Sequence, residues 1–201
     1  MKFPTLEEEK KLWRAGYKYV AGLDEAGRGA LAGPIFAAAV IFNKGVKISG
    51  VNDSKKLTPE KREELYKIIT KNALFWSIAS LSHQKIDKIG IGRANLEVME
   101  KAIKYLKHKP DFLLIDAHKL ETKIPSFSII KGDEKVFSIA AASILAKVSR
   151  DRFMIRQGNK YSAFQFEINK GYGTGRHLAA IRKHGPCLIH RRSFKPLKKI
   201  I

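Results

Sequence analysis

Tyr19-Val20-Ala21-Gly22-Leu23-Asp24-Glu25-Ala26-Gly27-Arg28-Gly29-Ala30-Leu31-Ala32-Gly33-Pro34 decides the fold, because it runs from an apolar stretch through two adjacent carboxylates into a glycine-rich turn. Tyr17 to Asp24 reads as a buried strand, and Ile35 to Phe42 as a second strand returning after the turn. Gly27-Arg28-Gly29 lets a backbone come close to a phosphodiester with a guanidinium beside it. In an ideal strand Asp24 and Glu25 face opposite sides. The pattern therefore predicts that the strand ends or bulges there if both acids serve one site, with Gly22 and Gly27 permitting the break. Acids for a metal ion beside a backbone that tolerates phosphate is the layout of a metal-dependent nuclease.

Outward from this stretch, Thr5 to Ala15 predicts a short polar helix stopping at Gly16, and Leu74 to Leu81 a third strand. Thr58 caps a helix with Pro59 in its first position and Leu65, Ile68 and Ile69 on its apolar face. Ile91, Ala94, Val98, Ala102, Ile103 and Leu106 keep the spacing of a longer amphipathic helix. Phe112 to Ile115 is fully apolar and ends in Asp116, as a central parallel strand does. Phe127 to Ile130 is a further short strand, closed by Lys131-Gly132-Asp133. From Glu134 to about Arg156, the small residues Ala140, Ala141, Ala142, Ser143 and Ala146 predict a helix packed tightly on the sheet. Read in the order β-β-β-α-α-β-β-α, these elements argue for an α/β fold with a mixed central sheet flanked by helices. With no internal repeat or linker, residues 1–201 are expected to form one domain, with a helical extension over 1–16 and a basic tail over 195–201.

The 201 residues are 44% hydrophobic, enough for a substantial core. Lys and Arg number 39 against 19 Asp and Glu, a formal net charge of +20 that favours a polyanionic partner through counterion release. No basic amphipathic helix argues for a membrane surface, and no apolar run reaches a membrane span. A single cysteine, Cys187, excludes an internal disulfide and suits a reducing compartment. Its expected role is to fill space. The N-terminus is too acidic for a signal peptide, so the expectation is a cytoplasmic protein, acting as a monomer.

Asp24, Glu25, Asp116 and Asp133 are far apart in sequence, yet three of them stand at or beside the ends of apolar strands, where ligands of open α/β sheets collect. Hard oxygen donors suit Mg²⁺ or Mn²⁺, and two such ions about 3.5–4 Å apart could activate a water and stabilise the leaving oxygen of a phosphodiester. Each acid alone reads more readily as a helix cap or a surface ion pair than as a metal ligand; the set with its flanking glycines reverses that. His83, His108 and His118 read as solvated surface residues. His177 or His184 is a candidate for protonating a leaving group, against a structural role. Asp151 is expected to pair locally, and Lys147 to reach toward the acids or a phosphate, or else to cover the sheet. Tyr172 alone reads as a half-buried core aromatic.

Taken together, Gly22-Leu23-Asp24-Glu25-Ala26-Gly27-Arg28-Gly29, Asn52-Asp53-Ser54-Lys55-Lys56-Leu57, Leu114-Ile115-Asp116, Lys131-Gly132-Asp133, Ser138 to Val148, Gly171-Tyr172-Gly173-Thr174 and His190-Arg191-Arg192-Ser193-Phe194 carry a resemblance. The chain resembles type 2 ribonuclease H, ribonuclease HII, of the bacterial branch, over nearly its whole length. The resemblance implies a ribonuclease H fold and Mg²⁺- or Mn²⁺-dependent cleavage of RNA in RNA–DNA hybrids and on the 5′ side of ribonucleotides embedded in duplex DNA, leaving 3′-hydroxyl and 5′-phosphate ends. It puts the catalytic and metal-binding acids at Asp24, Glu25, Asp116 and Asp133. Nucleic-acid contacts fall on Gly27, Arg28 and Gly29, with Lys55 a candidate phosphate contact. The reader of the ribose falls on Tyr172, whose hydroxyl would approach the 2′-OH. One departure stands behind that tyrosine, where Gly175-Arg176-His177 replaces the usual Lys-Glu-His and is expected to loosen the turn. The alternatives are another nuclease on the same fold, of resolvase or transposase type, and a non-catalytic basic protein coating structured RNA. The first gives no reason for Gly27-Arg28-Gly29 together with Tyr172, the second none for the acids.

Overall fold

Apolar side chains buried on both faces hold the opening stretch in the middle of a five-stranded sheet. The computed structural model describes residues 3–198; Met1 and Lys2 of the expected N-terminal extension and residues 199–201 of the expected basic tail lie outside it. Strands β1 (Val20–Ala26) and β2 (Ile35–Ile41) pair antiparallel, with Asp24 opposite Ala38 and Glu25 opposite Ala37. Strand β3 (Phe75–Leu81) continues antiparallel beyond β2. On the other side β4 (Phe112–Asp116) lies parallel to β1, and β5 (Ser126–Ile129) parallel to β4, giving the order β3-β2-β1-β4-β5. The mixed sheet is the one expected. The element order differs from the one expected: α2 (Pro59–Asn72), capped by Thr58 Oγ1 accepting from Lys61 N, comes between β2 and β3, and helices over His83–Ile89, Phe166–Asn169, Gly175–His184 and Lys195–Lys198 add to the expected set.

Helices cover both faces of the sheet. Helices α3 (His83–Ile89) and α4 (Ile91–Tyr105) cover one, where Ala94, Val98 and Met99 pack with Leu23, Ala37 and Leu113. Helices α2 and α5 (Phe137–Lys160) cover the other. There Ala140, Ala141 and Ala142 meet Ala38 and Val40, and each large apolar side chain fully buried in such a layer contributes about 1.5–3 kcal/mol. The small residues bring α5 unusually close to β1: a Cβ on Gly22 would lie 2.2 Å from the Ser138 carbonyl carbon. Only glycine fits at that crossing.

Helix α1 (Glu7–Arg14) supplies what α5 lacks at its start. Val136, at the α5 N-cap, has no side-chain acceptor, and Glu9 Oε1 accepts from Ser138 N at 2.8 Å instead. Leu12 and Trp13 of α1 are buried beside it, and Thr5 makes main-chain bonds to Lys135 and Phe137. At the other end α6 (Phe166–Asn169), α7 (Gly175–His184) and α8 (Lys195–Lys198) gather around Leu31, Met154, Phe164, Phe166, Ile181 and Ile189. Among the described residues no helix is long and apolar enough to cross a membrane.

Candidate active site

Strand β1 carries Asp24 and Glu25 without the break expected between them: the ladder runs on to Ala26 opposite Phe36. Alternation therefore sends Asp24 to the α5 face and Glu25 to the α4 face. The chain turns two residues after Glu25, at Gly27, with φ +92°. A Cβ there would come within 1.9 Å of Arg150 Nε, so glycine is required both by conformation and by contact.

Asp116 ends β4, and its Oδ1 accepts from Gly132 N at 2.7 Å. That bond holds the turn in which Asp133 follows. Asp24, Asp116 and Asp133 each present a carboxylate oxygen, and these oxygens lie within 4.8 Å of one another. Burial, then the neighbouring charges of Glu25 and Asp116, push the Asp24 carboxyl well above the ordinary carboxylate range. Asp116 is pushed up by burial against the bond from Gly132, and Asp133 by burial against the pull of Lys55. Lys55 Nζ lies 3.2 Å from Asp133 Oδ2 and 3.8 Å from Asp53 Oδ1. Partial burial works against its charge, but those two acids outweigh it and its pKa is raised.

Of the four expected acids, three cluster and Glu25 stands slightly apart. Its Oε1 is 3.6 Å from His118 Nε2, which is 3.4 Å from Arg28 Nη1, and its Oε2 is buried with no hydrogen-bond partner among the described residues. All the same, Glu25 and Asp24 line one cavity of about 230 Å³ with Gly27, Arg28, Gly29, Lys55 and Tyr172. His118, expected at the solvated surface, is thus a site residue. The left-handed Ala117 (φ 49°) turns the chain back after Asp116 and brings it there. His108 also departs from its expected solvation, lying 3.8 Å from the Tyr19 ring centroid.

Two arginines without an assigned role in the sequence reading support the glycine-rich loop from below. Arg150 donates to Pro34 O and Ala32 O, both at 3.1 Å. Arg191 donates to Gly33 O at 2.9 Å and Arg28 O at 3.0 Å. Both are fully buried, and burial together with the charge of Arg150 pushes the Arg191 pKa down to about 9. Arginine is a surface residue on average, so nothing in its spacing signals such burial.

Tyr172 is half-buried, its ring 5.0 Å from the Arg150 guanidinium and 5.4 Å from Lys147 Nζ. Lys147 lines the same cavity and pairs with Asp151 at 2.8 Å, the local pairing expected of that acid. Gly175 is the first residue of α7, which Thr174 Oγ1 caps by accepting from His177 N. His177 is buried with both ring nitrogens engaged, by Tyr172 O and His190, which removes it as a proton donor to a leaving group.

A mixed five-stranded sheet with clustered acids at the ends of its central strands defines the class, a nuclease of ribonuclease H-like fold. The fold superposes on ribonuclease H2 from Pyrococcus horikoshii OT3 with a TM-score of 0.77 at 27% identity, covering 90% of this chain and 96% of that one. The family model for ribonuclease HII matches residues 21–197. A ribonuclease HII of Caldicellulosiruptor saccharolyticus is 48% identical over 196 residues, 97% of this chain and 95% of the relative. One of Caldicellulosiruptor bescii is 50% identical over 196 residues, 97% and 94% of the two chains. The chain belongs to the ribonuclease HII family and is a ribonuclease H-type hydrolase, an endonuclease class acting on RNA–DNA hybrids.

Proposed function

We propose that this enzyme cuts the RNA strand of hybrids and also the 5′ side of a lone ribonucleotide in duplex DNA, leaving 3′-hydroxyl and 5′-phosphate ends. The observation that carries this reading is the approach of one carboxylate oxygen each of Asp24, Asp116 and Asp133 within 4.8 Å of one another, with Asp24 and Asp116 lining the cavity they share with Gly27-Arg28-Gly29 and Tyr172. The donor set fits a hard divalent cation: three carboxylates pushed upward by burial, and an unpartnered buried oxygen on Glu25 beside them. Asp24, Asp116, Asp133 and Glu25 would hold Mg²⁺ or Mn²⁺. Bound there, the metal supplies a more acidic water and stabilises the charge of the leaving oxygen.

The chain's own groups position the substrate. Arg28 and the Gly27 and Gly29 amides hold the backbone around the scissile bond, because glycine lets the phosphate come near. Lys55 stands between the acids and solvent, with its side chain 76% exposed, and meets an incoming phosphate. A backbone contact cannot separate ribose from deoxyribose. That task falls to Tyr172, stacking on the sugar with its hydroxyl toward the 2′-OH.

The test is cleavage of three substrates, a long hybrid, a DNA duplex with one ribonucleotide and an all-DNA duplex, each with Mg²⁺, with Mn²⁺ and with chelator. The expected result is metal-dependent cutting of the first two and none of the third. Cutting of long hybrids with the lone ribonucleotide ignored would overturn the reading of a single ribose, and cutting in chelator the metal assignment.

A further inference from the structure

A line of hydrogen bonds passes beneath Tyr172, and chemistry fixes the direction at both ends. Cys187 N donates to His190 Nδ1 at 2.9 Å, His190 Nε2 lies 3.0 Å from His177 Nε2, and His177 Nδ1 lies 2.8 Å from Tyr172 O. A main-chain N–H only donates and a carbonyl only accepts. His190 therefore carries its proton on Nε2 and gives it to His177 Nε2, and His177 carries its proton on Nδ1 and gives it to Tyr172 O. Every ring nitrogen is used. The two residues are 1% and 0% exposed and are walled by the rings of Phe164 and Phe166.

The segment that starts this line also grips the glycine-rich loop. His190 forms an antiparallel bridge with Ala32, Ile189 O accepts from Gly33 N at 2.9 Å, and Arg191 N donates to Leu31 O at 2.8 Å. Arg191 then holds Arg28 O and Gly33 O through its guanidinium. One short piece of chain is thus tied on one side to the backbone of Gly27–Gly33, and on the other, through two imidazoles, to the turn that carries Tyr172.

We infer that the His190–His177 pair is a one-way hydrogen-bond strut setting the position of Tyr172 relative to the Gly27–Gly29 backbone, which makes both histidines positioning residues for selection of a single ribose. This rests on the proposed reading of the ribose by Tyr172. The strut has no place for another proton: one on His190 Nδ1 would face Cys187 N–H, and one on His177 Nε2 would face the His190 Nε2 proton. The titratable groups facing the pair give such a charge no support. They are the Cys187 thiol, 3.1 Å from His190 Nδ1 and pushed up by burial, His83 at the start of α3, whose charge opposes a second one, and His184 across the Phe164 ring.

Long-range ¹H–¹⁵N NMR of the imidazoles in the intact protein reads the strut directly. The expected spectrum at neutral pH has His190 protonated on Nε2 and His177 on Nδ1, with the His190 ring neutral down to about pH 5. The opposite tautomers, or an imidazolium at pH 6, overturn the strut whatever happens to any variant. His177→Gln and His190→Gln, assayed where they remain folded, are expected to cut at a lone ribonucleotide at least about tenfold more slowly and to lose less on a long hybrid. In either background Tyr172→Ala should cost much less than it does in the parent, because coupled residues are not additive. Equal loss on both substrates, or full additivity, overturns the positioning role. A parent protein that ignores the lone ribonucleotide sinks the ribose-reading proposal before any histidine is changed; a parent that cuts it while the variants keep its substrate ratio sinks the strut alone.

Discussion

Asp24 sits where its own charge works against the fold. It is buried, Glu25 and Asp116 add repulsion, and its folded-state pKa lies above the unfolded one, so its ionised form at neutral pH costs stability that is recovered as pH falls. Asp24→Asn keeps the shape and the acceptor for Glu25 N at 2.7 Å while removing the charge. Denaturation of the metal-free variant should therefore show a gain of about 1 kcal/mol or more, with cleavage reduced at least about a hundredfold. A variant less stable than the parent would mean that the like charges carry little cost. Asp116→Asn should lose at least about a hundredfold in rate with hybrid binding retained, since basic groups dominate affinity; near-normal cleavage removes Asp116 from the proposed metal set. Asp24, Glu25 and Asp116 were legible because each ends or adjoins an apolar run. The partners of Glu25 were not: His118 lies 93 positions along the chain and is brought near by a left-handed residue that has no sequence signature.

Helix α5 shows why a local reading gets an element right and its ends wrong. Its small-residue stripe marks tight packing on the sheet, and Gly22 on β1 meets Ser138 as that stripe implies. Its start is set from elsewhere, by Glu9 of α1, in a segment so polar that it reads as a plain surface helix. Glu9→Ala should cost about 1–2 kcal/mol in denaturant unfolding, and Glu9→Gln, which keeps an acceptor, less; equal costs would show that the carboxylate is not the cap. Strand β1 likewise begins at Val20 and not Tyr17, because the amides of Lys18 and Tyr19 are taken by the Asp111 carboxylate at 2.7 and 3.0 Å. The segment around His190 adds a pH dependence. Burial, then the charges of His177 and His83, push its pKa from 6.5 down to about 4, so the unfolded chain binds more protons between those values. Stability is full above about pH 6.5 and falls toward pH 4, by on the order of 2–3 kcal/mol from this residue alone. His190→Gln should flatten that part of the curve; an unchanged curve would show that other groups carry it.

Across the molecule, a net charge of +20 surrounds a centre that is locally acidic, and the two have opposite effects on a polyanion. Composition made the excess legible, and with it a nucleic-acid partner, but composition carries no arrangement. Only the fold puts Arg28, Lys55 and Lys147 around the carboxylate cavity, with Arg150 and Arg191 buried beneath the loop and unable to meet phosphate. The basic rim should supply affinity by displacing counterions from the duplex, while the acids repel the phosphate they are proposed to process until a cation neutralises them. Two consequences can be measured with the Asp116→Asn protein, which is expected to bind with little cutting. The logarithm of its association constant with a hybrid should fall linearly with the logarithm of monovalent salt, with a slope of magnitude about 4 or more, each neutralised phosphate contributing about 0.9 on B-form DNA and somewhat less on single strands. Removing one rim charge, as in Lys55→Ala, should lower that slope by about 1 and weaken hybrid and all-DNA duplex alike, because a phosphate contact carries no information about the sugar. A flat salt response would make the excess charge a general property of the surface. A Lys55 variant that weakened only the hybrid would move that lysine from backbone holding to recognition of the ribose.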